Sequence, residues 1–413
     1  MGAMTMDRPA TTGELPQIPN IPAAKAESVG LSTERLGRVA DVIARHIAAG
    51  TVTGAVTAVA RRGKLAYFQT HGQRDLAVGT PMPADAVFRM ASSTKPVTGV
   101  GVLMMMEEGR LRLSDKVREF IPEFRDFQVA TRKPGTKSLP GEAPEVVYEP
   151  ASRDLTILDL MTHTSGLISG GVGAALFGNQ RERGDTLATY IPKLGKAALD
   201  FQPGTKWRYS GGAGIDTLGR IVEITSGLDF ASFLKTRIFD PLGMKDTSFD
   251  LTEDKLARLL PLYRRENDAW VQAPHPSKPT KAEYHSGAGG LTSTARDYLL
   301  FQQMLTNKGE LGGERLLGTR TVELMGTNHV GDLYRGVSGD RLGHGFGLTT
   351  HVTTDYTIGE TGRSNGAFGW AGAFGTITWT DPAEQISGVT MLQQRVGVVQ
   401  ADVERAIRQA IID

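Results

Sequence analysis

The chain has 413 residues, 40% of them hydrophobic, and its 46 Lys and Arg against 45 Asp and Glu leave a formal net charge of +1. That length supports two domains or one elaborate one with a large core, and so even a balance gives no bulk electrostatic case for nucleic acid or an anionic membrane surface, which makes a small molecule the expected partner. The absence of cysteine excludes disulfides, thiolate metal sites and a cysteine nucleophile, in a reducing or an oxidising compartment alike.

The first residues, MGAMTMDRPATTGELPQIPNIP, belong to a Pro-dotted tail set at residues 1–24. It has no apolar run of the secretory type, which points to a cytoplasmic location. Ser32 can then cap a helix whose stripe Leu36, Val39, Ile43 and Ile47 follows the helical period and stops near Gly50. GAVTAVA and KLAYFQT, on either side of Arg61-Arg62-Gly63, read as paired strands. A buried-type helix follows, with Val97, Val100, Leu103, Met104 and Met106 inward and an end at Gly109-Arg110. Its apolar run is far too short to span a bilayer. From Val117 the texture turns to short helical pieces and Pro/Gly loops, KPGTKSLPGEAPEVVYEPAS and ISGGVGAALFGNQ among them, with little strand alternation before His285. From Gly289 strands return, notably GTITWTDP and QISGVTMLQQ, and the chain closes on the amphipathic helix VQADVERAIRQAII. Residues 25–116 and 286–413 are therefore expected to share one discontinuous α/β domain, interrupted by a mainly helical insertion at 117–285.

Three serines could carry nucleophilic chemistry. In Ser92-Ser93-Thr94-Lys95 the serine and lysine stand at i and i+3, so the amine can reach the hydroxyl. They open a helix, where free backbone N–H groups and the positive dipole end favour an alkoxide-like nucleophile and a nearby oxyanion, and Pro96 is tolerated in the first turn. A serine cap followed by a lysine is common in itself. A cation there is mildly unfavourable beside the dipole, however, and the helix it opens is apolar, so it lacks an obvious structural purpose. Ser232-Phe233-Leu234-Lys235 has the same spacing inside DFASFLKTRIFDPLG, whose Phe230, Phe233, Leu234 and Ile238 make an ordinary surface helix. Gly362-Arg363-Ser364-Asn365-Gly366 matches the G-x-S-x-G elbow, which needs a strand before and a helix after; AFGWAGAFGTITWT reads as loop and strand instead.

Taken with the Ser92–Lys95 pair, HTSGL at 163–167, QPGTKWRYS at 202–210, FDPLGMKDTSF at 239–249 and SGAGGLTSTARDY at 286–298 resemble the serine β-lactamase and penicillin-binding-protein superfamily. The chain most resembles its class C β-lactamase-like esterases, the family VIII carboxylesterases, over nearly its whole length from about Lys25. The resemblance implies an α+β sandwich with an antiparallel sheet flanked by the terminal helices, plus the helical insertion. It implies Ser92 as nucleophile, Lys95 as its activating partner and Tyr209 as a third catalytic group. An ammonium beside the phenol would let Tyr209 share the Ser92 proton and return it to the leaving alcohol. The backbone N–H groups of Ser92 and of Ala373, at the start of a strand, would form the oxyanion hole.

Two departures bear on substrate. Gly211 stands where penicillin-recognising relatives carry an Asn, and Trp370-Ala371-Gly372, expected on an edge strand, replaces Lys-Thr-Gly. The second removes a cation and a hydroxyl that would bind a substrate carboxylate. Trp370 offers a flat apolar wall and one N–H donor, which suits an uncharged group. Hydrolysis of small carboxylic esters through a Ser92 acyl-enzyme is therefore expected, with weak β-lactamase activity if Arg208 or Arg363 restores the charge. The alternatives are a β-lactamase or D-amino-acid peptidase of the same superfamily, an acyltransferase, and a catalytically silent binding protein, whose mark would be loss of Ser92, Lys95 or Tyr209. No metal or other cofactor is implied. The eight histidines show no metal-ligand spacing, His163 suits a structural hydrogen bond, and His285 and His344 fall in Gly-rich loops. Neither the oligomeric state nor the natural acyl and alcohol parts can be read from the chain.

Overall fold

The computed structural model describes residues 14–135, 145–178, 180–267, 269–335, 342–358, 362–394 and 396–413. Residues 136–144 and Asn179, in two of the loops quoted above, lie outside the described residues. The first helix, α1 (Thr33–Ala48), is capped by Ser32, whose Oγ accepts from the Arg35 amide, and buries Leu36, Val39 and Ile43. Strands β1 (Gly54–Arg61), β2 (Lys64–Asp75) and β3 (Thr80–Pro81) follow, then α2 (Lys95–Glu107), and in the middle of the chain α3 (Ala213–Ser226). After α4 (Ala295–Thr306) come β4 (His344–Phe346), β5 (His351–Thr353), β6 (Phe368–Ala371), β7 (Ile377–Asp381), β8 (Ile386–Met391) and α5 (Gly397–Arg408).

These eight strands form one sheet in the order β4-β5-β6-β7-β8-β1-β2-β3, with each neighbouring pair antiparallel. The two ends of the sequence meet at its centre, where Val56 faces Met391 and Arg61 faces Ile386. Every residue of β1 and of β8 is buried, which requires a cover on both faces and explains the run of small apolar residues in GAVTAVA. Ala55 and Val59 face the layer of α1 and α5, packed with Leu36, Val39, Ile43, Trp379, Val399, Val403 and Ile407. Val56 and Ala58 face the larger core that holds α2 and α4.

Three features differ from the sequence pattern. Residues 14–24 are not a free tail: Ile18 and Ile21 are buried, and the Leu65 N–H and C=O pair with Pro22 O and Ala24 N at 3.0 and 2.9 Å. Two short hairpins, Gln128–Arg132 with Val146–Pro150 and Tyr263–Glu266 with Ala269–Gln272, fall inside 117–285. Helix α4 occupies a stretch that read as a return to strands. All but Arg296 of its residues are buried, so no polar stripe alternates with the apolar one and the helical period is hidden. Among the described residues no helix is long and apolar enough to cross a membrane.

Helix α4 also contains a titratable group at zero exposure. The Asp297 carboxylate accepts from the Asp246 amide (2.7 Å) and Thr247 Oγ1 (3.1 Å), yet burial pushes its acid up to about 6. A folded-state value above the unfolded one of 3.8 means that the protonated acid contributes stability below about pH 4, lost as pH rises through 6. Two units correspond to about 3 kcal/mol at most. Asp297→Asn is therefore expected to gain on the wild type, in urea unfolding, from about pH 4 to just above pH 6 and to hold a constant lead beyond that; a gap that does not change with pH across this window would contradict the assignment.

Candidate active site

A short pairing of Phe88–Arg89 with Thr292–Ser293 delivers the chain to a 3-10 turn, Ala91–Thr94, that runs directly into α2. Each hydroxyl in this turn has a separate task. Ser93 Oγ bonds Thr376 Oγ1 at 2.9 Å, Thr94 Oγ1 accepts from the Leu291 amide at 3.3 Å, and both side chains are fully buried. Ser92 makes no cap bond to α2. Its half-buried Oγ instead accepts from Lys95 Nζ at 3.3 Å and from Tyr209 OH at 2.7 Å.

Lys95 is at zero exposure. Its other two donors reach Gly211 O at 2.8 Å and Ala288 O at 2.6 Å, so three N–H bonds meet three neutral oxygens. The ammonium also stands 5.0 Å from the centre of the Tyr209 ring. Tyr209 is fixed by its sequence neighbours: the Arg208 amide donates to His163 O, the Ser210 amide to His163 Nδ1, and Ser210 Oγ to Leu167 O. Ser210 Oγ also accepts from the Gly214 amide at the start of α3. The HTSGL stretch thus clamps WRYS. His163 itself is buried, with its ring against Trp207, Tyr209 and Phe346. Burial first, and the Lys95 charge second, hold its imidazole well below the usual range, so it is a neutral hydrogen-bonding wedge.

Trp370 lies 5.7 Å from the Tyr209 ring and edge-on to Phe346 at 5.4 Å. Its strand, β6, is third in the sheet and not an edge. Strand β5 pairs only with Phe368 and Gly369, however, which leaves the Trp370-Ala371 end uncovered. The indole N–H is buried without a partner, so Trp370 presents a wall and not the donor expected of it. A Cβ on Gly211 would meet nothing within 4 Å, so the missing Asn leaves open space beside the Lys95 contact. A Cβ on Gly372 would come within 2.2 Å of Met90 O, so only glycine lets this turn dock on the residues before Ser92. Ala373 does not begin a strand: it sits exposed in the turn between β6 and β7. Among the described residues neither the Ser92 nor the Ala373 amide donates to a protein acceptor, which leaves both free for a ligand oxygen.

The competing motifs separate from this cluster. Arg363 is 2% exposed and forked onto Glu404 of α5, under the opposite face of the sheet, so it cannot replace the lost cation. Ser364 is followed by β6 and not by a helix. Lys235 turns away to Asp240 at 2.7 Å while Phe233 and Leu234 are buried, as a surface helix requires. Arg208 is exposed and reaches Gly170 O at 3.2 Å. His285 lies tilted against the Phe249 ring, and His344 bonds His351 at 3.1 Å. A cavity of about 860 Å³ between the 14–26 segment, α1 and β2 contains none of the cluster. One charged residue beside the cluster went unread in the sequence, Asp216 of α3, buried under Ala288. Its signal was an acid inside the otherwise apolar run AGIDTLG.

Residues 39–411 match the beta-lactamase family model. An uncharacterized protein of Mycobacterium tuberculosis is 33% identical over 362 residues, 84% of this chain and 86% of that one. Esterase EstB of Burkholderia gladioli is 28% identical over 386 residues, 87% of this chain and 91% of its own. Among solved structures EstCE1, a hydrolase with promiscuous acyltransferase activity, is similar at a TM-score of 0.75 and 25% identity, covering 92% of this chain and 99% of that one. This chain belongs to the beta-lactamase family, and within it to the penicillin-binding-protein-like serine hydrolases that include the family VIII esterases.

Proposed function

We propose that this protein is a serine ester hydrolase that cleaves small carboxylic esters through an acyl-enzyme on Ser92. The observation that carries this reading is the meeting of two proton carriers on one hydroxyl: Ser92 Oγ accepts from Tyr209 OH and from the buried Lys95. In acylation the Lys95–Tyr209 pair acts in the form that has already given up one proton to solvent, so that it can accept: Oγ bonds to the ester carbonyl carbon as the Ser92 proton passes to the vacant position on the pair. The tetrahedral oxyanion takes the amides of Ser92 and Ala373, and the same pair returns the proton to the alcohol as the C–O bond breaks. Water, deprotonated by that pair, then attacks the acyl carbon and releases the acid, which gives ping-pong kinetics. Trp370 and the opening beside Gly211 line the site for uncharged groups.

A penicillin or a peptide C-terminus carries a carboxylate, for which strand β6 offers Trp370 and no lysine. With p-nitrophenyl butyrate and a cephalosporin as substrates, kcat/KM is expected to favour the ester by at least about 10²-fold. A preference for the cephalosporin would return the protein to the β-lactamase or D-amino-acid peptidase reading. The similarity to EstCE1, described as having acyltransferase activity as well, supports a second outlet for the same acyl-enzyme. A competing alcohol should then appear in the product as a new ester; ester formed in excess of free acid would make acyl transfer the main reaction.

A further inference from the structure

The geometry assigns Asp216 the role of the positioning residue that sets Lys95 for proton transfer, an inference that rests on the Ser92–Lys95–Tyr209 reading above. Asp216 stands in the first turn of α3, where a carboxylate is favoured by the helix end. Its Oδ2 accepts from Tyr284 OH at 2.8 Å, and its Oδ1 from Ser286 Oγ at 2.9 Å and the Ala288 amide at 3.0 Å. The segment so gripped delivers two carbonyls to α2. Ala288 O accepts from Lys95 Nζ at 2.6 Å, and Gly287 O accepts from Thr98 Oγ1, one turn further along, at 2.8 Å. Gly287 permits that approach, because a Cβ there would lie 2.9 Å from Thr98 Oγ1.

Charge points the same way. A fully buried ammonium whose three bonds go to neutral oxygens calls for a compensating anion nearby. Among the described residues no carboxylate forms an ion pair with Lys95, and Asp216 is the buried one that feels its charge, across the single residue Ala288. Burial holds the Asp216 acid above the usual carboxylate range, and its three donors and Lys95 oppose that rise in part. The remaining titratable groups around Lys95 are occupied or neutral. Tyr209 is bonded to Ser92, His163 is neutral, Tyr284 donates to Asp216, and His285 turns to Asp229 at 4.0 Å.

Asp216→Asn keeps the shape and an accepting oxygen while removing the charge. It is expected to lower kcat for p-nitrophenyl butyrate by about 10- to 100-fold with KM within about threefold. Some stability should be lost with the anion, and in the folded variant the limb of the kcat/KM profile carried by the Lys95–Tyr209 pair should move to lower pH. An unchanged kcat and pH profile in Asp216→Asn would overturn the assignment, leaving Asp216 a neutral acceptor in the scaffold. Should that variant fail to fold, Tyr284→Phe, which frees one Asp216 oxygen, is expected to lower kcat about threefold at constant KM, and an unchanged kcat there would also overturn it. A fluorophosphonate probe separates this idea from the one beneath it. Wild type that does not label at Ser92 sinks the nucleophile assignment itself, whereas slower labelling in Asp216→Asn supports the positioning role.

Discussion

Ser92→Ala is expected to abolish hydrolysis of p-nitrophenyl butyrate, lowering kcat by at least about 10⁴-fold, with the urea midpoint unchanged. The stability half of this expectation follows from what Ser92 does not do. It caps no helix, and its neighbours Ser93 and Thr94 carry the bonds that hold the turn to Thr376 and Leu291. Removing Oγ leaves Lys95 with Gly211 O and Ala288 O, so the buried cation is not orphaned. Lys95→Ala should match the loss of activity but cost stability as well, because two buried carbonyls lose their donor. Tyr209→Phe removes one proton carrier and keeps the aromatic packing on His163 and Trp370. If the three side chains act as a unit, Ser92→Ala/Tyr209→Phe is no slower than Ser92→Ala alone. Residual activity in Ser92→Ala would put the nucleophile elsewhere, Ser364 first, and the roles proposed for Lys95 and Tyr209 would fall with it.

The parts of this fold that could be read from the sequence are those with one wet face or with a charged or glycine stop at their ends, as the buried α2 has at Gly109-Arg110. Helix α1 shows its stripe because its outer side is polar, and the β1–β2 pair shows because a charged turn breaks two apolar runs. Helix α4 is hidden for the opposite reason, being wrapped on nearly every side. The same physics governs the site. Ser92 and Lys95 are a local pattern, one helical turn apart, and could be found from spacing. Tyr209 is 114 positions from Lys95 in the chain and became visible only through its motif, since no periodicity links a loop tyrosine to a distant helix. Ala288 meets Lys95 through its carbonyl and the Asp216 carboxylate through its amide, and backbone groups carry no residue-specific signal that would link the acid to the lysine. The error over Arg363 is of this kind: the sequence set it six positions before Gly369, and only the path of the chain across the sheet sends it to the face away from Ser92.

That burial makes Arg363 the place where the largest loss of stability is expected. Its guanidinium is forked onto Glu404, both side chains are within 3% of full burial, and Arg363 also lies over the Trp379 ring at 5.3 Å. Glu404→Gln leaves a desolvated cation facing a neutral amide, and is expected to cost about 3–5 kcal/mol. Arg363→Met leaves the anion unpaired and should cost a similar amount, with the stacking on Trp379 lost in addition. Removing both charges together as Arg363→Met/Glu404→Leu should recover most of the loss, because a well-packed apolar pair avoids the desolvation that the ions endure. Urea midpoints for the two singles and the double close a thermodynamic cycle and isolate the coupling. Activity supplies the second test. In each variant that remains folded, kcat/KM for p-nitrophenyl butyrate and for a cephalosporin should stay within about twofold of wild type, since Ser92 lies under the other face of the sheet. A rise in KM for the carboxylate-bearing substrate alone, in Arg363→Met, would mean that this arginine does reach the substrate and that the lost lysine has been replaced after all.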